Sequence, residues 1–141
     1  MNQPQGYDYF DVAADVGVAA WGPTLEEAFR QTALGVFALI VDAEGVEERE
    51  SRELSASGET REDLLVNWSN ECLYLHDIEG FLPRRIQFPI FEERRITCRL
   101  VGEPLESGRH RVGIVVKAAT YHQLSVKKTA RGWEIRLILD V

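Results

Sequence analysis

The stretch FDVAADVGVAAWG, residues 10–22, decides how this chain folds, because it sets two aspartates into an otherwise apolar run. Its composition is typical of a strand, where a carboxylate is out of place unless something binds it. If the segment is extended, Asp11 and Asp15 lie roughly 13 Å apart on one side of the strand. A turn at residues 13–15 would bring them closer, but no turn signal stands there. We therefore expect a shared ion to require a carboxylate from elsewhere in the chain.

Length and composition narrow the class of protein. The chain has 141 residues and is 45% hydrophobic, which predicts one domain over residues 1–141 with a single core. No apolar run approaches the roughly 18 residues of a membrane span, and the first residues lack the pattern of a signal peptide. Cys72 and Cys98 do not have the spacing of a zinc site and lie in apolar patterns. We expect buried free thiols and a cytoplasmic protein.

Charge is distributed unevenly along the chain. The net charge is −7, which argues against a dedicated nucleic-acid binder. Residues 1–80 carry 17 acidic and 4 basic side chains, whereas residues 81–141 carry 6 acidic and 12 basic ones. The second half could therefore form a basic face, or its charges could simply solvate the surface.

Two segments have the period of amphipathic helices. The first starts at Thr24, with Glu27 three residues later as in a capping box. The second starts at Thr60, with Asp63 in the equivalent place. Apolar residues recur three and four positions apart in both segments, so we expect their apolar faces to form the core. The side chains expected inside are Phe29, Phe37, Trp68 and Leu75.

The remaining segments predict six or seven strands. VGVAAWG is short and apolar, and ERESRELSASG is charged enough to be an edge strand. Four later segments are rich in β-branched and aromatic residues: RRIQFPIFEE, RRITCRLVGE, RVGIVVKAAT and WEIRLILDV. HQLSVKK is a short addition beside the last two, and Pro89 should keep its strand at an edge or a bulge. These elements predict an α+β fold, a two-layer sandwich of two amphipathic helices on one face of a largely antiparallel or mixed β-sheet.

The last predicted strand supplies a second carboxylate. Asp140 alternates away from the apolar face of WEIRLILDV and emerges at the strand end. If the first and last strands are neighbours, Asp15, Asp140 and the terminal oxygens of Val141 form an all-oxygen cluster. Such a cluster suits calcium or magnesium, completed by water, and does not suit zinc. The alternative is that Asp15 caps a turn and Asp140 is only solvated.

Four blocks of the chain resemble the archease family. They are ADVGVAAWGPTLEEAF, LLVNWSNECLYLHD, VKAATYHQLSV and IRLILDV, and they occur in family order over nearly the whole chain. The resemblance implies a small α/β protein that assists the GTP-dependent tRNA-splicing RNA ligase. That enzyme joins RNA ends carrying a 3′-phosphate or 2′,3′-cyclic phosphate to 5′-hydroxyl ends. By the same resemblance, the protein promotes guanylylation of the ligase histidine and repeated turnover. It is a cofactor protein rather than an enzyme, and it meets RNA only indirectly.

The resemblance also implies site residues. The aspartate of the family's HTAD motif corresponds to Asp15 and the penultimate aspartate to Asp140, and the final residue, Val141, contributes through its backbone. These three residues are therefore expected to hold a divalent cation, calcium or magnesium. Lys117 and His122 lie in the family's KA-TYH block and are candidates for the same functional surface.

One departure from the family pattern stands beside the proposed ligand. The family usually has His-Thr where this chain has Val12 and Ala13. If that histidine assists at the site, the function is altered here, and if it only packs or orients Asp15, little is lost.

Two other functions remain open from the sequence. The first is a chaperone-like binding module without a dedicated ligase partner, which would use an exposed sheet edge or an acidic patch. The second is a metal-dependent hydrolase acting on phosphates. The hydrolase ranks last, because the chain offers no evident nucleophile or general base.

Overall fold

Two helices and eight strands form the fold over residues 3–141, the part of the chain that the computed structural model describes. The helices are α1 (Leu25–Ile40) and α2 (Arg61–Glu79), and a single 3₁₀ turn covers Ala43–Gly45. The strands are β1 (Gly6–Val12), β2 (Asp15–Gly22), β3 (Glu50–Ser57), β4 (Phe81–Phe91), β5 (Arg95–Pro104), β6 (Ala118–Ala119), β7 (Ser125–Thr129) and β8 (Gly132–Asp140). No helix within residues 3–141 is long and apolar enough to cross a membrane.

The strands form two antiparallel sheets. One has the order β1-β2-β8-β6, with β7 also pairing with β8, and the other has the order β3-β5-β4. Helix α1 packs mainly on β2 and β8, whereas α2 contacts β3 of one sheet and β6 of the other. The α+β prediction is confirmed, with the single expected sheet divided in two. Pro89 lies in an edge strand at a break in register, as its missing N–H requires.

Both helices begin where the sequence predicts. The Oγ1 of Thr24 accepts a hydrogen bond from the backbone N–H of Glu27 (3.1 Å), and the Oγ1 of Thr60 accepts one from Asp63 (3.0 Å). Each hydroxyl satisfies a donor that the first helical turn leaves free. Helix α2 ends at Gly80, whose φ of 68° is the left-handed value that glycine adopts without strain.

Aromatic side chains from both helices meet in the core. Phe29, Phe37 and Trp68 are buried as predicted, and Phe29 stacks on Trp68 with ring centroids 5.9 Å apart. Leu75 is only partly buried, so the fourth core prediction holds in part. The two cysteines are free and buried, and the indole N–H of Trp68 donates to the Sγ of Cys98 (3.2 Å).

The opening stretch is a hairpin, so the extended interpretation of it is wrong. Strand β1 pairs with β2 from Gly6–Trp21 to Val12–Asp15, and the chain reverses over residues 13 and 14. Ala13 has a φ of 43°, a left-handed value that is unfavourable for a residue with a Cβ atom. Asp11 pairs with Val16, the neighbour of Asp15, so the two aspartates point to opposite faces of the sheet.

The segment RVGIVVKAAT is also not the long strand that its composition predicts. Only Ala118–Ala119 pairs with β8. Earlier in the segment, the backbone N–H groups of Gly113 and Ile114 donate to the carbonyls of Ile40 and Leu39 at the end of α1. Tertiary contact with a helix end thus outweighs the β propensity of this run. HQLSVKK does form a short strand, β7, beside β8.

Candidate metal centre

The strand order sets the two strand ends that carry the proposed aspartate ligands side by side. In the pairing of β2 with β8, Val16 lies opposite Leu139. Continuing this register by one residue sets Asp15 opposite Asp140. Val18 and Leu137, which are also partners, are completely buried on the helix side of the sheet. Side chains alternate along a strand, so Asp15 and Asp140 share the other face. We call these two residues the aspartate pair.

No basic side chain of residues 3–141 pairs with either aspartate. Asp15 is partly buried and Asp140 is exposed, and neither carboxylate has a hydrogen bond or ion pair with another side chain of residues 3–141. Like charges at opposite cross-strand positions repel each other. A bound cation would convert that repulsion into two favourable contacts.

The donor set is made of oxygen. Within residues 3–141, no three His, Cys, Asp or Glu side chains stand together as a metal site, so the pair needs other oxygen ligands. Val141 follows Asp140 directly, is partly buried and packs against the core. Its backbone oxygen directly follows that of Asp140 along the chain. Two carboxylates with backbone oxygen and water fit calcium or magnesium, and the absence of nitrogen or sulfur donors makes zinc a poor fit.

Strand β6 holds the last residues of β8 from the other side. Ala118 pairs with Asp140, and the backbone N–H of Lys117 donates to the carbonyl of Asp140 (2.8 Å). The N–H and the Oγ1 of Thr120 both donate to the carbonyl of Ile138, at 3.0 and 2.9 Å. Asp140 therefore depends on the segment around β6 for its backbone position, because the pairing of β8 with β2 stops at Leu139.

Lys117 and His122 flank this segment. Both side chains are exposed, and the backbone N–H of His122 donates to the Oγ1 of Thr120 (3.2 Å). The structure therefore connects both residues to the end of β8 through the backbone. Their side-chain roles stay predictions.

Val12, where the family resemblance implies a histidine, lies on the same surface. It pairs with Asp15 across the hairpin, and paired residues point to the same face of a sheet. An imidazole at this position would therefore stand next to the Asp15 carboxylate. This chain has a half-buried valine there, and a valine side chain offers no donor atom to a cation.

An apolar cover lies next to the aspartate pair, and the sequence did not signal it. Phe10 pairs with Gly17, and a Cβ on Gly17 would meet the Phe10 ring at 2.2 Å. The ring therefore lies flat over the glycine. The guanidinium of Arg136 also stacks on this ring, 3.9 Å from its centroid. Ile138, the partner of Gly17 on β8, is completely buried, so one side of the pair is shielded from water.

A second group of titratable side chains lies apart from the predicted site residues. The buried carboxylate of Glu103 accepts hydrogen bonds from the backbone N–H of Glu47 (2.8 Å) and from Nε2 of His110 (2.9 Å), and it pairs with Arg109. Burial by itself raises the pKa of Glu103. The contacts with Arg109, Glu47 and His110 outweigh burial and lower that pKa to about 2. The cluster therefore keeps a buried charge through full pairing.

Comparisons with known proteins agree on one family. The model of the Archease protein family (MTH1598/TM1083) matches residues 7–141. Protein archease of Pyrococcus abyssi is 34% identical over 139 residues, covering 96% of this chain and 98% of the relative. Protein archease of Saccharolobus islandicus is 38% identical over 138 residues, covering 97% and 99%.

Solved structures are similar over the same length. The solution structure of Methanobacterium thermoautotrophicum protein 1598 matches with a TM-score of 0.81 and 33% identity, covering 96% of this chain and 99% of that one. The crystal structure of an archease, possible chaperone, from Thermotoga maritima matches with a TM-score of 0.60 and 20% identity, covering 100% and 98%. The second likeness shows a shared fold.

Proposed function

The chain belongs to the archease family, and on that premise we propose that it activates a GTP-dependent tRNA-splicing RNA ligase. It promotes guanylylation of the ligase and lets the ligase turn over repeatedly. The protein carries out no ligation itself and works in the cytoplasm, meeting RNA only through the ligase. The proposal is supported by the family match, which runs from residue 7 to the last residue.

The observation that carries the proposal is the aspartate pair. Asp15 and Asp140 come from opposite ends of the chain, share one face of the sheet and have no cationic partner in the described residues. Their carboxylates would hold a calcium or magnesium ion, with Val141 contributing its terminal oxygens. When bound, such an ion supplies positive charge that accepts phosphate oxygens as well as carboxylates.

The residues around the pair have separate tasks in this proposal. Asp140 is exposed and can bind an ion that a partner also contacts. Asp15 is partly buried beside the cover of Phe10, so it would hold the ion on the protein side. Lys117 is exposed and bonded to Asp140 through the backbone, and its ammonium group would meet the phosphates of a nucleotide held by the ligase.

The test is a time course of ligase guanylylation with GTP and a divalent metal, with and without this protein. We expect faster guanylylation and multiple-turnover joining with the native protein, and neither with Asp140→Asn. Asp77→Asn is the matched control, because Asp77 is an exposed aspartate on α2. No acceleration over the ligase alone, with several candidate ligases from the same source, would overturn the proposal.

The same variant separates two roles for the ion. If the ion bridges to the phosphates of the partner, Asp140→Asn abolishes activation and leaves the melting temperature nearly unchanged. If the ion only orders the chain terminus, activation and thermal stability fall together, and excess metal restores neither. We favour bridging, because Asp140 points away from the apolar face and does not brace the core.

A chaperone-like binding module without a ligase partner is the second candidate. The observation in its favour is the open edge of β3, a strand that within residues 3–141 pairs only with β5. Such an edge can accept an extended segment of another protein. Suppression of the aggregation of an unfolded client, without any effect on a ligase, would favour this function.

A further inference from the structure

The side chain of Asn70 satisfies both backbone groups of one residue at the edge of the larger sheet. Its Oδ1 accepts a hydrogen bond from the N–H of Ala119 (2.7 Å), and its Nδ2 donates to the carbonyl of Ala119 (3.2 Å). Ala119 is the second residue of β6, which pairs with β8 on its other side. The amide thus makes the two hydrogen bonds that a neighbouring strand would make.

Strand β6 is too short to hold its place through the sheet alone. It has two residues, Ala118 and Ala119, which pair with Asp140 and Leu139 of β8. The flanking N–H groups of Lys117 and Thr120 donate to the carbonyls of Asp140 and Ile138. These are also the contacts that position the backbone of Asp140. A helix that fixes β6 from outside therefore fixes Asp140 as well.

We infer that Asn70 is a positioning residue for the aspartate pair. It anchors β6 to α2, and β6 in turn holds the backbone of Asp140 where its carboxylate lies opposite Asp15. The metal-binding part of this inference rests on the proposed function, whereas the anchoring of β6 does not.

The chemistry explains why an asparagine is needed here. A peptide group presents one donor and one acceptor side by side, and the carboxamide of asparagine presents the same two groups with complementary direction. Leucine at residue 70 has a similar size and offers neither group. Ala119 is 5% exposed, so water would replace the lost hydrogen bonds poorly.

The chain contains a matched control on the same helix. Asn67 lies one turn before Asn70, and its Nδ2 donates to the carbonyl of Ser57 (2.8 Å) at the end of β3. This amide ties α2 to the smaller sheet, and the hydrogen bond it makes does not involve β6. Asn67→Leu therefore removes a contact of the same kind and leaves β6 anchored.

The experiment compares calcium binding and amide exchange in the native protein, Asn70→Leu and Asn67→Leu. Calorimetric titration with calcium should show a dissociation constant about tenfold higher for Asn70→Leu, the factor equivalent to about 1.4 kcal/mol. Asn67→Leu should bind calcium like the native protein. By NMR, the amides of Lys117 and Thr120 should exchange faster in Asn70→Leu and remain protected in Asn67→Leu.

Each result decides the inference. If the native protein binds calcium and Asn70→Leu binds it equally well, or if both variants weaken binding to the same extent, Asn70 is not a positioning residue. If the native protein binds neither calcium nor, in the same titration, magnesium, the proposed metal site fails, and amide exchange alone tests the anchoring. Unchanged protection of Lys117 and Thr120 in Asn70→Leu would then overturn it.

Discussion

Replacing Glu103 with glutamine should destabilise the protein more than any replacement of an exposed acid. The Glu103 side chain is 2% exposed, and its carboxylate receives the backbone N–H of Glu47 and the Nε2–H of His110. Nδ1 of the same histidine accepts the backbone N–H of Glu106 (2.8 Å), so Nε2 carries the proton. A neutral amide at residue 103 turns an NH₂ group toward these donors and removes the charge that Arg109 pairs with.

The size of the effect follows from the exposure of the partners. Removing one member of a fully buried ion pair costs about 3–5 kcal/mol. Arg109 keeps 36% of its side chain exposed, so water can partly solvate its charge after the change. The amide oxygen can also still accept one of the two N–H groups. We therefore expect Glu103→Gln to lower the free energy of unfolding by about 2–3 kcal/mol at neutral pH.

The contacts of the Glu103 carboxylate also predict how the stability of the protein depends on pH. The pKa of Glu103 is about 2 in the folded protein, below its ordinary value of 4.5. A depressed folded-state pKa gives stability that is present above the ordinary value and is lost as the pH falls toward 2. The native protein should therefore lose stability between about pH 4.5 and 2, and Glu103→Gln should show a shallower loss over that range.

Urea denaturation followed by tryptophan fluorescence at pH 7 and pH 3 measures the free energy of unfolding and its change with pH. Glu106→Gln is the matched control, because Glu106 pairs with the same Arg109 but is exposed. That variant should unfold almost like the native protein, since exposed ion pairs contribute little. Equal midpoints for Glu103→Gln and Glu106→Gln, or equal slopes with pH in native protein and Glu103→Gln, would refute the reasoning.

Three further predictions concern the hairpin and the core. Val12→His should raise the affinity for zinc or nickel relative to calcium, because it adds a nitrogen donor beside Asp15. Competition titrations measure this preference, and an unchanged preference would mean that the new side chain lies away from the aspartate pair. Ala13→Gly should stabilise the fold by about 1 kcal/mol in urea denaturation, because φ there is 43°, and a loss of stability would contradict the turn. Phe37→Ala and Trp68→Ala should each cost about 3–5 kcal/mol by chemical denaturation, and a cost below about 1 kcal/mol in both would mean that the helix faces are turned differently.

Local signals in the sequence were sufficient for the helices and for the character of the last strand. Thr24 and Thr60 cap helices as their spacing predicts, because capping involves residues only three positions apart. The apolar face of each helix could be identified in the same way, which is why Phe29 and Trp68 were placed correctly. In β8, strict alternation put Asp140 on the face opposite Leu137 before any partner strand was known.

The hairpin and the partly formed strand show where local signals fail. Residues 13 and 14 are both alanine, and nothing in such a pair announces a reversal of the chain, since turns are usually marked by Gly or Asn. The run 111–120 has the composition of a strand, yet Arg111, Gly113 and Ile114 form hydrogen bonds with residues at the end of α1 instead. In both places, contacts with residues distant in sequence determine the conformation of the backbone.

The sequence indicated some residues of the candidate site, and only the tertiary structure showed the others. Asp15 and Asp140 could be named from the sequence and the family resemblance, whereas their common position follows from the placement of β8 between β2 and β6. Asn70 could not be found at all, because its partner Ala119 is 49 residues away and lies on a strand that exists only through pairing with β8. Hydrogen bonds within a helix connect residues close in sequence, but those of a sheet edge connect residues that only the complete fold brings together.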